Sequence, residues 1–306
     1  MGYREEFAVA QGRLLERAGV RARSLFLDVA AVTGSAHVLV AGEGPPVLLV
    51  PGFGDPAAMW APLLAHLPGV TAYAVDRPCF GLTGAAPLET RTLRSLAVEF
   101  LTQVLDALGL ERTVVIGNSV GSQWSLWLAM SRPDRVTATA HLGCPAFLTG
   151  TSAPLPLRLL SVPPLGWLLM RLTPATSEGA RRFGERVPRE DLSPWPELCD
   201  LLAVGLRRPG ARLAVRQLVR AMTGLRGGRP EIEITPAQLR EIRQPAQLQW
   251  GSRDPFGSVA AGRRAAELLP DASFSVIEGA GHAPWINHGE EAGQRLRPFL
   301  LAHATA

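Results

Sequence analysis

The 306-residue chain contains no lysine; all 31 of its basic side chains are arginine, set against 27 acidic ones. The resulting charge of +4 is a small excess over this length and gives no reason to expect a nucleic-acid partner. Cysteine is scarce too. Cys79, Cys144 and Cys199 are an odd number at wide spacing without a zinc pattern, which excludes a disulfide framework and fits reduced thiols in the cytoplasm. No metal or cofactor is expected. The first twenty residues have no apolar segment of the secretory type. The longest charge-free stretch, 136–157, holds His141 with several threonines, prolines and glycines, so it reads as strand and loop, not as a membrane span. Repeats and low-complexity linkers are absent. What is abundant is apolar residue, 47% against 19% charged, enough for a large core.

The apolar residues carry a pattern. A helical spacing over 1–22 gives way to two β-like runs, SLFLDVAAV and SAHVLVAGEG, an expected antiparallel pair. From Pro46, short apolar runs alternate with helical ones: VLLVPG then PAAMWAPLLAHL, VTAYAVDR then RTLRSLAVEFLTQVLDALG, and RTVVIGNS then a helix through Met130. Such alternation predicts an α/β fold with a mostly parallel sheet of eight strands and helices on both faces. It breaks after the sixth strand and resumes at AQLQWGSRD, SFSVIEG and a final helix. The reading is therefore one core, 23–146 with 231–306, interrupted by a helical cap at 147–230. The cap has 13 arginines against six acids, a +7 excess, while the rest of the chain is slightly acidic. Arg212, Arg216 and Arg220 recur every fourth residue along one helical face. They read either as a solvated outer face or as attraction for an anionic substrate, carrier or membrane.

The segment VVIGNSVGS places Gly117, Ser119 and Gly121 between an apolar strand and a helix, the setting a G-x-S-x-G elbow requires. A serine there is exposed on a sharp turn with a helix N-terminus behind it, and the Val120 N–H faces an oxyanion formed on an attacked acyl group. Serine needs a base, and His282, in the glycine-flexed loop EGAGHAPW after a strand, is placed to be one. His141, at a strand end, is its one serious competitor; His37, His66 and His303 read as structural or surface residues. Asp254, in WGSRDPFG after the penultimate strand, is the candidate orienting carboxylate, and the order Ser119, Asp254, His282 suits the architecture. Asp76 reads as a turn stabiliser. The loop Pro51–Gly54 offers a second oxyanion donor, the Phe53 N–H. Asp55, followed by Pro56, reads as a helix N-cap.

On these motifs, with DRPCFGLT from Asp76, the chain resembles the α/β-hydrolase superfamily from about Ser24 to the last helix, in particular its members with a helical cap. The resemblance implies Ser119 as nucleophile, Asp254 as acid and His282 as base, with Val120 and Phe53 N–H groups holding the oxyanion. The family usually has histidine and glycine where this chain has Pro51 and Gly52, and glycine where it has Cys79. The first departure removes a side chain that often buttresses the oxyanion loop; Cys79 reads as a tolerated buried thiol.

The expected activity is that of a serine esterase opening a carboxylic ester of a lipophilic small molecule through an acyl-enzyme. Leu165, Trp167, Leu168, Leu169, Met170 and Trp195 in the cap motivate the lipophilic substrate, and Asn118, Trp167 and Trp285 are candidate substrate-lining residues. Three other readings stand. One is a thioesterase or acyltransferase using an anionic acyl carrier, which the basic cap favours. Another is a C–C bond hydrolase, a branch that shares Gly-Asn-Ser but usually has tryptophan where Ala283 follows the histidine. The last is a non-catalytic ligand receptor on the same fold.

Overall fold

The computed structural model describes residues 2–304. In chain order it runs α1 (Tyr3–Arg17), β1 (Ala22–Asp28), β2 (Ser35–Ala41), β3 (Pro46–Val50), α2 (Ala61–Leu64), β4 (Thr71–Val75), α3 (Leu93–Ala107), β5 (Thr113–Gly117), α4 (Val120–Ser131) and β6 (Val136–Leu142). The inserted segment follows, with α5 (Leu155–Leu160), α6 (Pro163–Leu172), α7 (Ser177–Arg186), α8 (Pro196–Arg207), α9 (Ala211–Met222) and a minimal hairpin, β7 (Thr223–Gly224) with β8 (Gly227–Gly228). The chain ends with α10 (Pro236–Glu241), β9 (Ala246–Gly251), α11 (Val259–Leu268), β10 (Ala272–Ile277) and α12 (Gly289–His303).

Eight strands form one sheet in the order β1-β2-β4-β3-β5-β6-β9-β10. The β1/β2 and β2/β4 pairs are antiparallel and the others parallel. The expected α/β architecture is thus present. Strands β3 and β5 read as unbroken apolar text because both of their faces are covered. Side chains of α3, α4 and α11 join one hydrophobic cluster and those of α1, α2 and α12 another. The inserted segment is shared between them: α9 contributes Leu218 and Met222 to the first cluster, α8 contributes Leu198 and Leu201 to the second.

Two local departures have physical causes. The run PAAMWAPLLAHL, expected as one helix, splits into a 3-10 turn at Ala57–Trp60 and the single turn of α2. Pro62 lacks an N–H and is accommodated only in a first helical turn, so the chain starts afresh there. Asp55 does not cap this turn. Ala57 N–H donates instead to Asp76 Oδ1 at 2.6 Å. Asp76 also accepts from Leu82 N–H at 2.8 Å and pairs with His37 Nδ1 at 2.6 Å, which makes it the turn stabiliser the sequence suggested. His37 Nε2 in turn meets Ser24 Oγ at 2.8 Å. That chain copies the form of a catalytic triad, but Ser24 lies on an extended edge strand with no helix N-terminus behind it to receive an oxyanion.

Helix α1 packs on α8 as well as on the sheet. Tyr3 Oη donates to Gly81 O at 2.9 Å, Glu6 pairs with Arg207, and the Arg17 guanidinium lies 5.6 Å over the Trp195 ring. The leading helix therefore ties the core to the inserted segment.

Candidate active site

All six parallel strands deliver their following loops to one edge of the sheet, where open α/β sheets place their sites. Ser119, directly after β5, adopts φ 52°, ψ −117°, a conformation rare for a residue with a side chain. Two close approaches fix this turn. A Cβ on Gly117 would lie 2.5 Å from Ser122 Cα, and one on Gly121 only 1.9 Å from Val50 O. Glycine at both places lets the start of α4 press against β5 and the end of β3. Asn118 O accepts from the Gly121 and Ser122 N–H groups at 2.7 and 3.2 Å, and Ser119 O from Gln123 N–H at 3.0 Å. Val120 N–H, the first amide of α4, has no acceptor within the helix.

Asp254 and His282 meet. Asp254 Oδ2 lies 2.9 Å from His282 Nδ1 and also accepts from Cys144 N–H at 2.8 Å, while Oδ1 accepts from Phe256 N–H at 2.9 Å. The carboxylate is thus held by two backbone amides as well as by the imidazole. The Phe256 ring stacks on His282 with centroids 3.8 Å apart. His282 is 5% exposed, and its Nε2 is buried without a hydrogen-bond partner. With Nδ1 committed to Asp254, Nε2 is the nitrogen free to accept a proton.

His141 also sits at this end of the sheet, beside Gly117 in the register. Both of its ring nitrogens are buried without partners, and burial pulls its pKa down to about 3. It has no carboxylate to orient it, unlike His282.

The loop after β3 lies against the nucleophile elbow: a Cβ on Gly52 would be 3.4 Å from Ser119 Cβ. The carbonyls of this loop are held by a residue that no local motif marks. Arg77, fully buried at the end of β4, donates from Nε to Pro51 O at 3.0 Å and from Nη2 to Gly52 O at 2.5 Å. In a trans peptide the C=O and the following N–H point in opposite directions, so drawing Gly52 O toward Arg77 turns Phe53 N–H away from it. The guanidinium also lies over Phe80 and Trp124, at 5.2 and 5.4 Å. Asp55, its charge partner, has a carboxyl pushed up to about 7 by burial, against the pull of Arg77 and His282. Cys79 takes φ 74°, the left-handed region where the family's glycine is at ease, and burial raises its thiol pKa.

The three residues expected to line a substrate pocket have contrasting surroundings. Asn118 Nδ2 donates to Leu142 O at 2.6 Å and to His282 O at 2.9 Å, so the side chain joins loops. Trp285 is buried, stacked on Trp60 at 4.2 Å with Nε1 donating to Met59 O at 3.1 Å. Trp167 is 50% exposed on the outer side of α6, because Gly166 and Met170 are the residues that α6 buries. Arg212, first of the arginine row, donates to Met170 O and to Thr173 O, closing the end of α6.

The inserted segment reaches the site through a strap that carries no recognisable motif. Pro188 O accepts from His282 N–H at 2.9 Å, and Glu190 Oε1 from Ala283 N–H at 2.8 Å. Arg189 between them has φ 58°. Glu190 is 2% exposed, and burial pushes its carboxyl up to about 8.

The chain is similar to several known proteins. A 2-hydroxy-6-oxononadienedioate/2-hydroxy-6-oxononatrienedioate hydrolase of Paraburkholderia phymatum is 29% identical over 262 residues, 83% of this chain and 86% of that one. A pimeloyl-[acyl-carrier protein] methyl ester esterase of Aromatoleum aromaticum is 28% identical over 262 residues, 81% of this chain and 94% of that one. The crystal structure of carboxylesterase CesB from Bacillus subtilis superposes with a TM-score of 0.77 at 21% identity, covering 99% of each chain, and so shares the fold. The model of the Alpha/beta hydrolase family matches residues 47–294, and the chain belongs to that family.

Proposed function

We propose that the protein is a serine hydrolase that opens a carboxylic ester of a lipophilic small molecule. The observation that carries this reading is the Asp254–His282 pair, with Nε2 buried and unpartnered, at the same sheet edge as the strained Ser119 elbow. In the proposed reaction Ser119 Oγ forms a bond to the acyl carbon while His282 Nε2 takes the hydroxyl proton. The Val120 and Phe53 N–H groups hold the oxyanion. Its collapse breaks the C–O bond, the alkoxide leaves with the proton from His282, and water activated by the same imidazole frees the acid. Asp254 fixes the tautomer and steadies the imidazolium.

A second reading of the same machinery, C–C bond hydrolysis, is supported equally by the relatives, whose names include both reactions. Ala283 after the histidine, where that branch usually has tryptophan, favours the ester. The +7 inserted segment and the relative that acts on an acyl-carrier-protein ester support a variant in which the acyl group arrives on an anionic carrier. One assay separates them: turnover of medium-chain aryl esters, acyl thioesters and a 2-hydroxy-6-oxo-dienedioate under identical conditions. Ester turnover at least tenfold above the other two (about 1.4 kcal/mol in transition-state binding) supports the first reading. Preference for the dienedioate transfers the site to C–C cleavage.

A further inference from the structure

The outward face of α6 is not built like a solvated one. Trp167, Leu168 and Leu172 are 50%, 44% and 68% exposed, and the only charged residue among them is Arg171, whose guanidinium lies 5.2 Å over the Trp167 ring. Pro164 on the same helix is exposed too, as is Leu155 on α5, which packs against α6. The patch is rigidly presented. Gly166 brings α6 close enough to α5 that a Cβ there would meet Leu160 O at 2.1 Å, and Arg212 holds the carbonyls of Met170 and Thr173 at the other end. Between Asp134 and Glu178 there is no carboxylate at all, while Arg158 on α5 and Arg171 on α6 supply positive charge.

We propose that this face is a docking surface for an anionic lipid bilayer: Leu155, Leu168 and Leu172 enter the acyl boundary, Trp167 lies at headgroup level, and Arg171 meets lipid phosphate. The residue types are those that suit an interface of apolar chain, wet carbonyl and anion. Charge complementarity decides against a second copy of this chain as the occupant. Two such faces apposed bring arginine toward arginine with no acid in the patch to pair them, whereas an anionic surface supplies the missing sign. No described helix is long and apolar enough to cross a membrane, so the mode is docking, not insertion. Docking does not depend on the proposed reaction, and its test reads binding alone.

The test is flotation of the full chain with vesicles of phosphatidylcholine, and with vesicles in which roughly a third of the lipid is phosphatidylglycerol. The wild type is expected to float with the anionic vesicles and to stay soluble with the neutral ones. Leu168→Asp with Leu172→Asp should weaken binding about tenfold or more, and Arg171→Glu should remove the preference for anionic lipid. Leu301→Asp, at an exposed leucine on α12, should bind as wild type does. Equal thermal midpoints verify that the variants fold, and the milder Leu172→Gln serves if the aspartates do not. The proposal is overturned if the wild type ignores anionic vesicles, if the double variant binds undiminished, or if sedimentation shows a lipid-free dimer that the double variant dissolves.

Discussion

Asn118, the residue before the proposed nucleophile, donates from Nδ2 to the backbone carbonyl of His282, the proposed base, at 2.9 Å. The same nitrogen holds Leu142 O at the end of β6, so one side-chain amide binds three strand-end loops together. The elbow and the base loop are thereby kept in register by a hydrogen bond that takes no part in proton transfer. Replacing Asn118 by Ala should lower kcat about 10–100-fold and cost roughly 2 kcal/mol of stability by leaving two buried carbonyls unpaired. Asn118→Asp should be worse on both counts, because it sets an oxygen against those carbonyls. Urea midpoints and steady-state rates for the pair check this.

Arg77 should matter for rate more than for binding. Its fork holds Pro51 O and Gly52 O, and with them the peptide that presents Phe53 N–H. Arg77→Lys keeps the charge but not the fork, so kcat is expected to fall about 10–100-fold with KM within about twofold of wild type. A change confined to KM would remove Arg77 from the support of the oxyanion.

The glycine of the elbow can be tested against a glycine that nothing crowds. Gly121→Ala drives a Cβ to 1.9 Å from the backbone oxygen of Val50, which has nowhere to move, and should destabilise the fold by roughly 3 kcal/mol or more. Gly205→Ala in α8 meets nothing within 4 Å and should be neutral or stabilise by up to about 1 kcal/mol. The two urea midpoints should move in opposite directions or differ widely.

Three titratable groups set opposing limits on stability with pH. Glu190, pushed up to about 8 by burial, holds its proton more tightly in the folded state than in the unfolded chain. Its contribution is therefore complete below the ordinary carboxylate range and is lost as pH rises through about 8. Asp55, pushed up to about 7, acts in the same direction. His141, pulled down to about 3, does the reverse: its contribution is present above its ordinary value of 6.5 and lost as pH falls toward 3. Between about pH 6 and about pH 9 the wild-type melting temperature should drop, and Glu190→Gln, which still accepts from Ala283 N–H, should flatten that slope without abolishing it. An unchanged slope would show that Glu190 titrates alike in both states.

The core fold and the elbow were legible in the sequence because their signals are local. Each of Ser119, Asp254 and His282 follows an apolar run of strand length and stands within two residues of glycine or proline, so a short window suffices to place it at a strand end. The roles of the other residues come from contacts across the chain. Asn118 meets a carbonyl 164 residues away, Trp285 one 226 residues away, and Glu190 an amide 93 residues away. Nothing within a helical period tells a tryptophan that packs or lines a pocket from one that faces solvent. That is why Trp285 and Trp167 read alike in sequence and part company in space. Asp55 departs from its capping signal for a related reason. Asx-Pro ahead of a helix is a good capping signal, but Asp76 arrives from the next strand with better geometry for the same amide.

The serine nucleophile is the centre of the account, and a fluorophosphonate probe tests it without knowledge of the substrate. Intact-mass measurement of wild type and Ser119→Ala after exposure to the probe, followed by peptide mapping, gives the answer. The account predicts one adduct per wild-type chain, located on Ser119, none on Ser119→Ala, and labelling slowed by about two orders of magnitude or more in His282→Ala. A wild-type chain that stays unlabelled, or an adduct that persists in Ser119→Ala, would contradict it.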